Sequence, residues 1–139
     1  MKNKILFSII ISIFVIVILV ATMVFIDPLR KSPEKIRDDM LEFTPIGTSM
    51  DEVIKVIYKH DNWEIESMHD NGITIHNGYP YIDSFLINDN TVGVKSIKIY
   101  VGSYKFFFFA GETIVRAYYA FDEDLKLVDI AVGKRAIHL

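Results

Sequence analysis

The chain has no cysteine among its 139 residues. This absence excludes a disulfide-stapled fold, a thiolate zinc site, a cysteine nucleophile and lipidation on cysteine. Positive charge is also scarce, with 15 Lys and Arg against 18 Asp and Glu. The basic residues after position 44 are dispersed singly and form no patch, so nucleic acid is not expected as a partner. A chain of this length holds at most one domain and an appendage.

One long hydrophobic run is present, because no charge interrupts the residues from Ile5 to Ile26. A helix of that length is about 33 Å long, enough to cross a hydrocarbon core of about 30 Å. We therefore predict a transmembrane signal-anchor over residues 1–26 of a single-pass membrane protein. Lys2 and Lys4 favour a cytoplasmic N-terminus and an extracytoplasmic C-terminal domain. A cleaved secretory signal is the alternative, because Leu19-Val20-Ala21 offers a small-residue cleavage site.

Two short helices are predicted after the anchor. Ser32-Pro33 is typical of an N-cap followed by proline, so residues 27–43 are expected to form a juxtamembrane helix or linker. Ser49 and Glu52 fit a capping box that opens a second helix at the start of a domain over residues 44–139. The apolar residues of that second helix recur at i, i+3, i+4 and i+7, which gives it one buried face: Met50, Val53, Ile54 and Ile57.

The pattern then changes to a period of two, which is typical of strands. Residues 63–68 and 73–76 flank an Asp-Asn-Gly turn and are predicted to pair as a hairpin. Residues 94–101 are predicted to form a further strand, and residues 106–109 are a candidate strand. Residues 113–121 and 125–133 are predicted to form a final hairpin, in which Tyr119 lies opposite Val128. That register also predicts an ion pair between Arg116 and Asp129. The predicted fold is α+β, with two short helices on one face of an antiparallel sheet of four to five strands.

A family resemblance rests on the start of the second helix. The residues are Ile46-Gly47-Thr48-Ser49-Met50-Asp51-Glu52-Val53. They resemble the glycine, small hydroxyl, two acids and valine at a helix start in small membrane-tethered domains of the SmpA/OmlA type, which share a fold with β-lactamase inhibitor protein. The chain differs in having a helix where that family has a lipidated cysteine. The resemblance implies a non-catalytic protein-binding scaffold, and the layout is similar to that of single-pass bacterial proteins.

Catalytic chemistry has little support in the sequence. His69 and His76 flank the Asp70 turn and could approach each other across the predicted hairpin, which would suit a small metal-dependent hydrolase. Their spacing matches no zinc signature. No phosphate-binding glycine loop, dinucleotide fingerprint or Ser-His-Asp arrangement is visible. We therefore predict no enzyme activity, no metal and no cofactor.

The aromatic residues favour binding to a protein partner. Tyr100, Arg116 and Tyr118 are predicted on the sheet face opposite the helices. Phe107 and Phe109 would form an uncovered apolar patch, and the long segment 77–93 presents further contact residues, Tyr79 and Tyr81. Filling of the core by the phenylalanines and an extra edge strand at 81–87 are the structural alternatives. The expected function is a membrane-anchored protein-interaction domain facing the cell envelope; a hydrolase or a toxin-immunity or inhibitor protein is the alternative.

Overall fold

The computed structural model describes residues 2–82, 91–105 and 111–137, and within the first helix the side chains of residues 6–22. The chain divides into two units, Met1–Arg30 and Lys31–Leu139. The predicted phenylalanine patch, Phe107 and Phe109, lies outside the described residues, as does most of the segment 81–87.

The first unit is a long helix, α1, over Lys2–Ile26, followed by a single 3-10 turn over Pro28–Arg30. Asp27 begins that turn, because its carboxylate accepts a hydrogen bond from the Leu29 amide at 3.0 Å. Between Leu6 and Val20 the large apolar side chains of α1 are exposed on every side of the helix. Among the side chains that the structure describes, no helix is both long enough and apolar enough to cross a membrane.

The second unit begins with two capped helices, α2 over Pro33–Phe43 and α3 over Met50–Lys59. Ser32 accepts a hydrogen bond from the Lys35 amide at 3.2 Å, and Ser49 accepts one from the Glu52 amide at 3.4 Å. Both predicted N-caps are therefore present, since each hydroxyl satisfies an amide that has no partner within its helix. Each helix buries two apolar side chains: Ile36 and Met40, and Val53 and Ile57.

Helix α2 belongs to the folded unit, although the sequence analysis assigned it to a linker. The unit begins at Lys31, and α2 packs against the last strand of the sheet. Arg37 fixes this contact: its guanidinium donates to the Asp129 carboxylate at 2.6 Å and to the Ile130 carbonyl at 2.8 Å. Asp129 therefore pairs with α2, and the predicted pair with Arg116 is wrong.

In the part of the chain that the structure describes, seven strands follow the helices: β1 (Glu64–His69), β2 (Ile73–His76), β3 (Tyr79–Tyr81), β4 (Thr91–Val92), β5 (Lys95–Lys105), β6 (Glu112–Phe121) and β7 (Leu127–Ile137). They form two antiparallel sheets, a main sheet in the order β1-β5-β6-β7 and a small sheet in the order β3-β2-β4. The α+β class is thus confirmed. The prediction placed all strands in one sheet, and the small sheet is the difference.

The predicted hairpin between β1 and β2 is wrong. Strand β1 pairs with β5, whereas β2 pairs with β3 and β4. The Asp-Asn-Gly segment carries the chain from one sheet to the other, and the Asn71 carbonyl accepts a hydrogen bond from the buried Ser96 hydroxyl at 2.6 Å. The tight hairpin turn joins β2 and β3 instead, at Asn77-Gly78, where the φ angles are positive, 51° and 75°. This geometry is typical of a type I′ turn.

The main sheet is buried on both faces over part of its area. One face packs against the helices, and Tyr119, next to the Thr44 hydroxyl at the end of α2, lies on this side. Its other fully buried members include Ile97, Ile99, Val115, Ala117, Phe121 and Ile130. The opposite face carries a second apolar cluster, in which Ile73 and Val92 of the small sheet pack on Tyr118, Ala120 and Ala131.

The register of the β6–β7 hairpin differs from the prediction by two residues. Tyr119 pairs with Ile130 instead of Val128, because the loop after Phe121 is one residue longer than predicted and a bulge at Ala120/Phe121 takes up one more residue of β7. From Asp129 onward the shift of two residues keeps each side chain on its predicted face, whereas Val128, at the bulge, packs on the opposite face. The alternation of apolar residues could not have distinguished the two registers.

Candidate binding site

A row of side chains across three neighbouring strands forms the floor of a cavity. Ser67 on β1 lies opposite Lys98 on β5, which in turn lies opposite Tyr118 on β6. Side chains directly opposite in an antiparallel sheet share a face, so the three form one continuous row. The cavity above them has a volume of about 310 Å³ and is lined by Ser67, His69, Tyr81, Ile82, Lys98 and Tyr118.

The small sheet forms one wall of this cavity. It covers the half of the main sheet made by β6 and β7, where a Cβ atom on Gly133 would lie only 3.0 Å from the Tyr79 ring. In the described ranges it does not reach across the half made by β1 and β5, where Lys98 and Tyr100 are partly exposed. The cavity therefore lies where the part of this face that the small sheet covers borders the part that it leaves uncovered.

An ion-pair cluster borders the cavity floor. Glu66, the residue at the β1 bulge, accepts hydrogen bonds from Arg116 at 2.8 and 2.9 Å and lies 2.9 Å from the Lys98 ammonium. Partial burial acts to raise the pKa of Glu66, but the hydrogen bonds from Arg116 and Lys98 outweigh it and lower this pKa. Two cations thus surround one carboxylate, and the cluster carries a net charge of about +1 at neutral pH.

Tyr118 belongs to the floor of the cavity and is almost completely buried. Only 4% of the residue is exposed. Burial, the neighbouring Tyr79 and a hydrogen bond with Tyr79 all raise the pKa of Tyr118, so the hydroxyl is neutral at physiological pH. Tyr118 lies on the predicted sheet face opposite the helices, and the small sheet covers this part of the face.

Ser67 and His69 form the one side-chain pair in the cavity that resembles a nucleophile and its base. The Ser67 hydroxyl and the His69 Nε2 atom are 2.8 Å apart. A serine nucleophile also needs a group that orients the histidine. Within the described ranges the His69 ring makes no second hydrogen bond, so the arrangement supplies polar donors to a ligand without a complete catalytic triad.

The structure separates the three residues of the alternative metal-dependent site, His69, His76 and Asp70. His69 ends β1 in the main sheet, His76 ends β2 in the small sheet, and Asp70 pairs with Lys95 at 3.0 Å. Among the described residues no group of three or more histidine, aspartate and glutamate side chains is close enough to hold a metal ion. The edge of the His76 ring faces the Tyr81 ring at 6.3 Å.

The structure brings four of the predicted partner-binding residues to this region: Tyr79, Tyr81, Arg116 and Tyr118. Tyr100, a fifth predicted residue, lies in the main sheet opposite Arg116 and two residues beyond Lys98 along β5. Sequence reasoning missed Ser67, Lys98 and Ile82 as site residues, because it treated β1 and β2 as partners. The Asn77-Gly78 dipeptide was the available signal, since it is a strong hairpin marker and would have paired β2 with β3.

Comparisons of the chain with protein-family models, with curated proteins and with solved structures find no match.

Proposed function

We propose that the protein is a membrane-anchored, non-catalytic binding protein whose second unit binds a protein partner at the cavity between its two sheets. The observation that carries the proposal is the surface of α1, which is apolar on every side and exposed, with exposed fractions of 61% for Leu6 and 66% for Phe14. A helix that is hydrophobic all round needs an apolar environment, either a protein core or a lipid bilayer.

The sequence supports the bilayer as that environment. The uncharged run extends beyond the described side chains in both directions, to Ile5 and to Ile26. The whole of α1 is about 37 Å long at 1.5 Å per residue, more than a hydrocarbon core of about 30 Å. Lys2 and Lys4 favour a cytoplasmic N-terminus, which supports an orientation with the second unit outside the cytoplasm, at the cell envelope.

The site on the second unit supports binding in preference to catalysis. It combines the aromatic ring of Tyr81, the apolar side chain of Ile82 and the polar groups of Ser67, His69 and Lys98 in one open cavity. Aromatic and basic side chains contribute disproportionately to protein interfaces. The proposed role as a protein-binding scaffold also agrees with the resemblance of the α3 capping segment to SmpA/OmlA-type domains.

Membrane topology tests the anchor. Because the chain has no native cysteine, Glu123→Cys in the exposed turn between β6 and β7 gives a single reactive probe. We expect a membrane-impermeant maleimide to label this variant in intact cells and the labelled protein to stay in the membrane fraction after carbonate extraction. Labelling only after lysis would contradict the orientation, and release by carbonate would contradict the anchor.

Site-specific crosslinking tests the binding site. A photoreactive benzoylphenylalanine in place of His69 would face the cavity, whereas the same residue in place of Glu123 would lie on the exposed turn and serves as the control. We expect a discrete crosslinked protein from position 69 and none from position 123. Equal crosslinking from both positions, or from neither, would refute the assignment of the binding surface.

A further inference from the structure

We infer that the cavity receives a carboxylate side chain from an extended, acidic segment of the partner, which lies along the outer edge of β1. The inference rests on the proposed binding function and names the chemistry of the partner. Three observations carry it: an excess of positive charge at the cavity, hydrogen-bond donors that are still available there, and an open strand edge beside it.

The charge at the cavity has the opposite sign to the rest of the domain. Residues 44–139 carry nine basic and thirteen acidic side chains, so this region is acidic at neutral pH. At the cavity, however, Lys98 and Arg116 face a single acid, Glu66. This local excess of positive charge attracts an anionic group to the cavity, which favours one orientation of an acidic partner.

Besides the bonds to the Glu66 carboxylate, the cavity offers hydrogen-bond donors for the carboxylate of a ligand. Arg116 donates to both oxygens of Glu66, so this acid stays compensated if Lys98 turns towards a ligand. The Lys98 ammonium has three N–H donors and uses one on Glu66. Ser67 and His69 line the same space and can complete the set. A carboxylate in the cavity would thus meet a charged donor and neutral ones.

The strand edge explains why the ligand would be an extended peptide. In the described part of the chain β1 is the first strand of the main sheet and has one neighbour, β5. Its bulge is confined to Ile65/Ser67, and beyond it Ser67, Met68 and His69 pair regularly. A peptide strand added to this edge alternates its side chains between the two faces, so one of them enters the cavity.

A peptide titration tests the inference on the full-length chain in a neutral detergent. The probe is a capped, fluorescently labelled heptapeptide of threonine and valine with one central glutamate, and the matched peptide carries glutamine. We expect binding of the glutamate peptide, at least about tenfold weaker binding of the glutamine peptide, and amide chemical-shift changes concentrated in residues 64–69.

Two lysine variants on the same strand give the matched control. Lys98→Met removes the cavity charge, while Lys95→Met removes a charge that pairs with Asp70 away from the cavity. Both variants are first checked for unchanged circular dichroism. We expect Lys98→Met to lose the preference for glutamate and Lys95→Met to keep it.

The outcomes separate this inference from the proposed function. Equal binding of both peptides, an equal effect of both lysine variants, or no binding would overturn the carboxylate inference. If a partner is still crosslinked from position 69 in cells, the proposed function stands without it. Absence of a crosslinked partner would remove the function itself, whatever the peptides do.

Discussion

At the scale of single residues, the charge cluster around Glu66 makes a measurable contribution to stability. Arg116 and Lys98 hold the pKa of Glu66 below its ordinary value, despite the opposing effect of partial burial. A depressed pKa in the folded state adds stability above the unfolded-state value near 4.3, and this stability is lost as the pH falls through the lower folded-state pKa. Acid therefore weakens the link between β1 and β6.

Glu66→Gln tests this contribution. We expect the free energy of unfolding at pH 7 to fall by about 1 kcal/mol, because the cluster is partly open to solvent and screening limits its strength. The difference from the unmodified chain should shrink below pH 4. Urea unfolding at pH 7 and pH 3 measures both values. Glu64→Gln, on the same strand but without an ion pair in the described ranges, should change neither; an equal loss in both variants would contradict the role of the cluster.

The neighbouring tyrosines Tyr118 and Tyr119 are predicted to respond oppositely to loss of their hydroxyls. The Tyr119 hydroxyl is buried and makes no hydrogen bond of standard geometry within the described residues, whereas Tyr118 hydrogen-bonds with Tyr79. An unpaired buried hydroxyl costs about 1–3 kcal/mol, and a paired one contributes about 1 kcal/mol. We expect Tyr119→Phe to raise the free energy of unfolding by about 1 kcal/mol and Tyr118→Phe to lower it by a similar amount.

Burial of Tyr119 also predicts a loss of stability at alkaline pH. Burial raises the pKa of Tyr119 to about 12, with a smaller opposing effect of the Thr44 hydroxyl. A raised folded-state pKa means that stability is complete below the unfolded-state value near 10 and is lost as the pH rises towards 12. Thermal unfolding between these pH values should show a shallower loss of stability in Tyr119→Phe. A steeper loss would contradict the burial of this hydroxyl.

At the scale of elements, two glycines shape the small sheet: Gly72 lies where the chain enters it, and Gly78 lies in the turn between β2 and β3. A Cβ atom on Gly72 would overlap the backbone carbonyl oxygens of Val92 and Gly93, which cannot move without breaking the contact between the segment and β4. At Gly78 a Cβ atom would meet open space, and the only obstacle is the positive φ of 75°. The first position is thus limited by space and the second by backbone conformation.

Alanine substitutions separate these two causes. Gly78→Ala should cost about 1–2 kcal/mol, the usual strain of a left-handed residue that has a Cβ. Gly72→Ala should cost clearly more, because the segment and β4 must separate. Urea unfolding of both variants gives the comparison. Equal losses would mean that the crossing tolerates displacement and that the described packing of Val92 on β6 is not tight.

The elements also show what sequence alone could predict. The capping residues Ser32 and Ser49 act within one turn of helix, so local patterns located α2 and α3 correctly. The pairing of β1 with β5 joins residues about thirty positions apart. The Asn77-Gly78 dipeptide is a local signal that pairs β2 with β3, but no local signal identifies β5 as the partner of β1. The bulge at Glu66 also depends on the pairing of β1 with β5, and it positions the Glu66 carboxylate next to Lys98 and Arg116. For this reason Lys98 emerged from the structure and not from the sequence.

At the scale of the whole molecule, the two units are expected to be energetically separate. Every residue of the described buried core lies between Ile36 and Val132, within the second unit. We therefore predict that residues 31–139, expressed alone in aqueous buffer, unfold cooperatively in urea with a free energy within about 1 kcal/mol of the same unit in the detergent-solubilised full chain. Failure of the fragment to fold would show that α1 contributes to the core.

If α1 anchors the protein in a bilayer as proposed, the β1 bulge has a further consequence. Proteins attached to a bilayer diffuse in two dimensions and meet their own copies far more often than in dilute solution. Open strand edges on such neighbours could join into ribbons. At this edge the irregular backbone at Ile65/Ser67 works against pairing between two identical edges, because the bulge breaks the regular spacing of hydrogen-bonding groups. The bulge therefore disfavours ribbons of this chain, while the regular part of β1, from Ser67 to His69, stays suited to a short strand of a different chain.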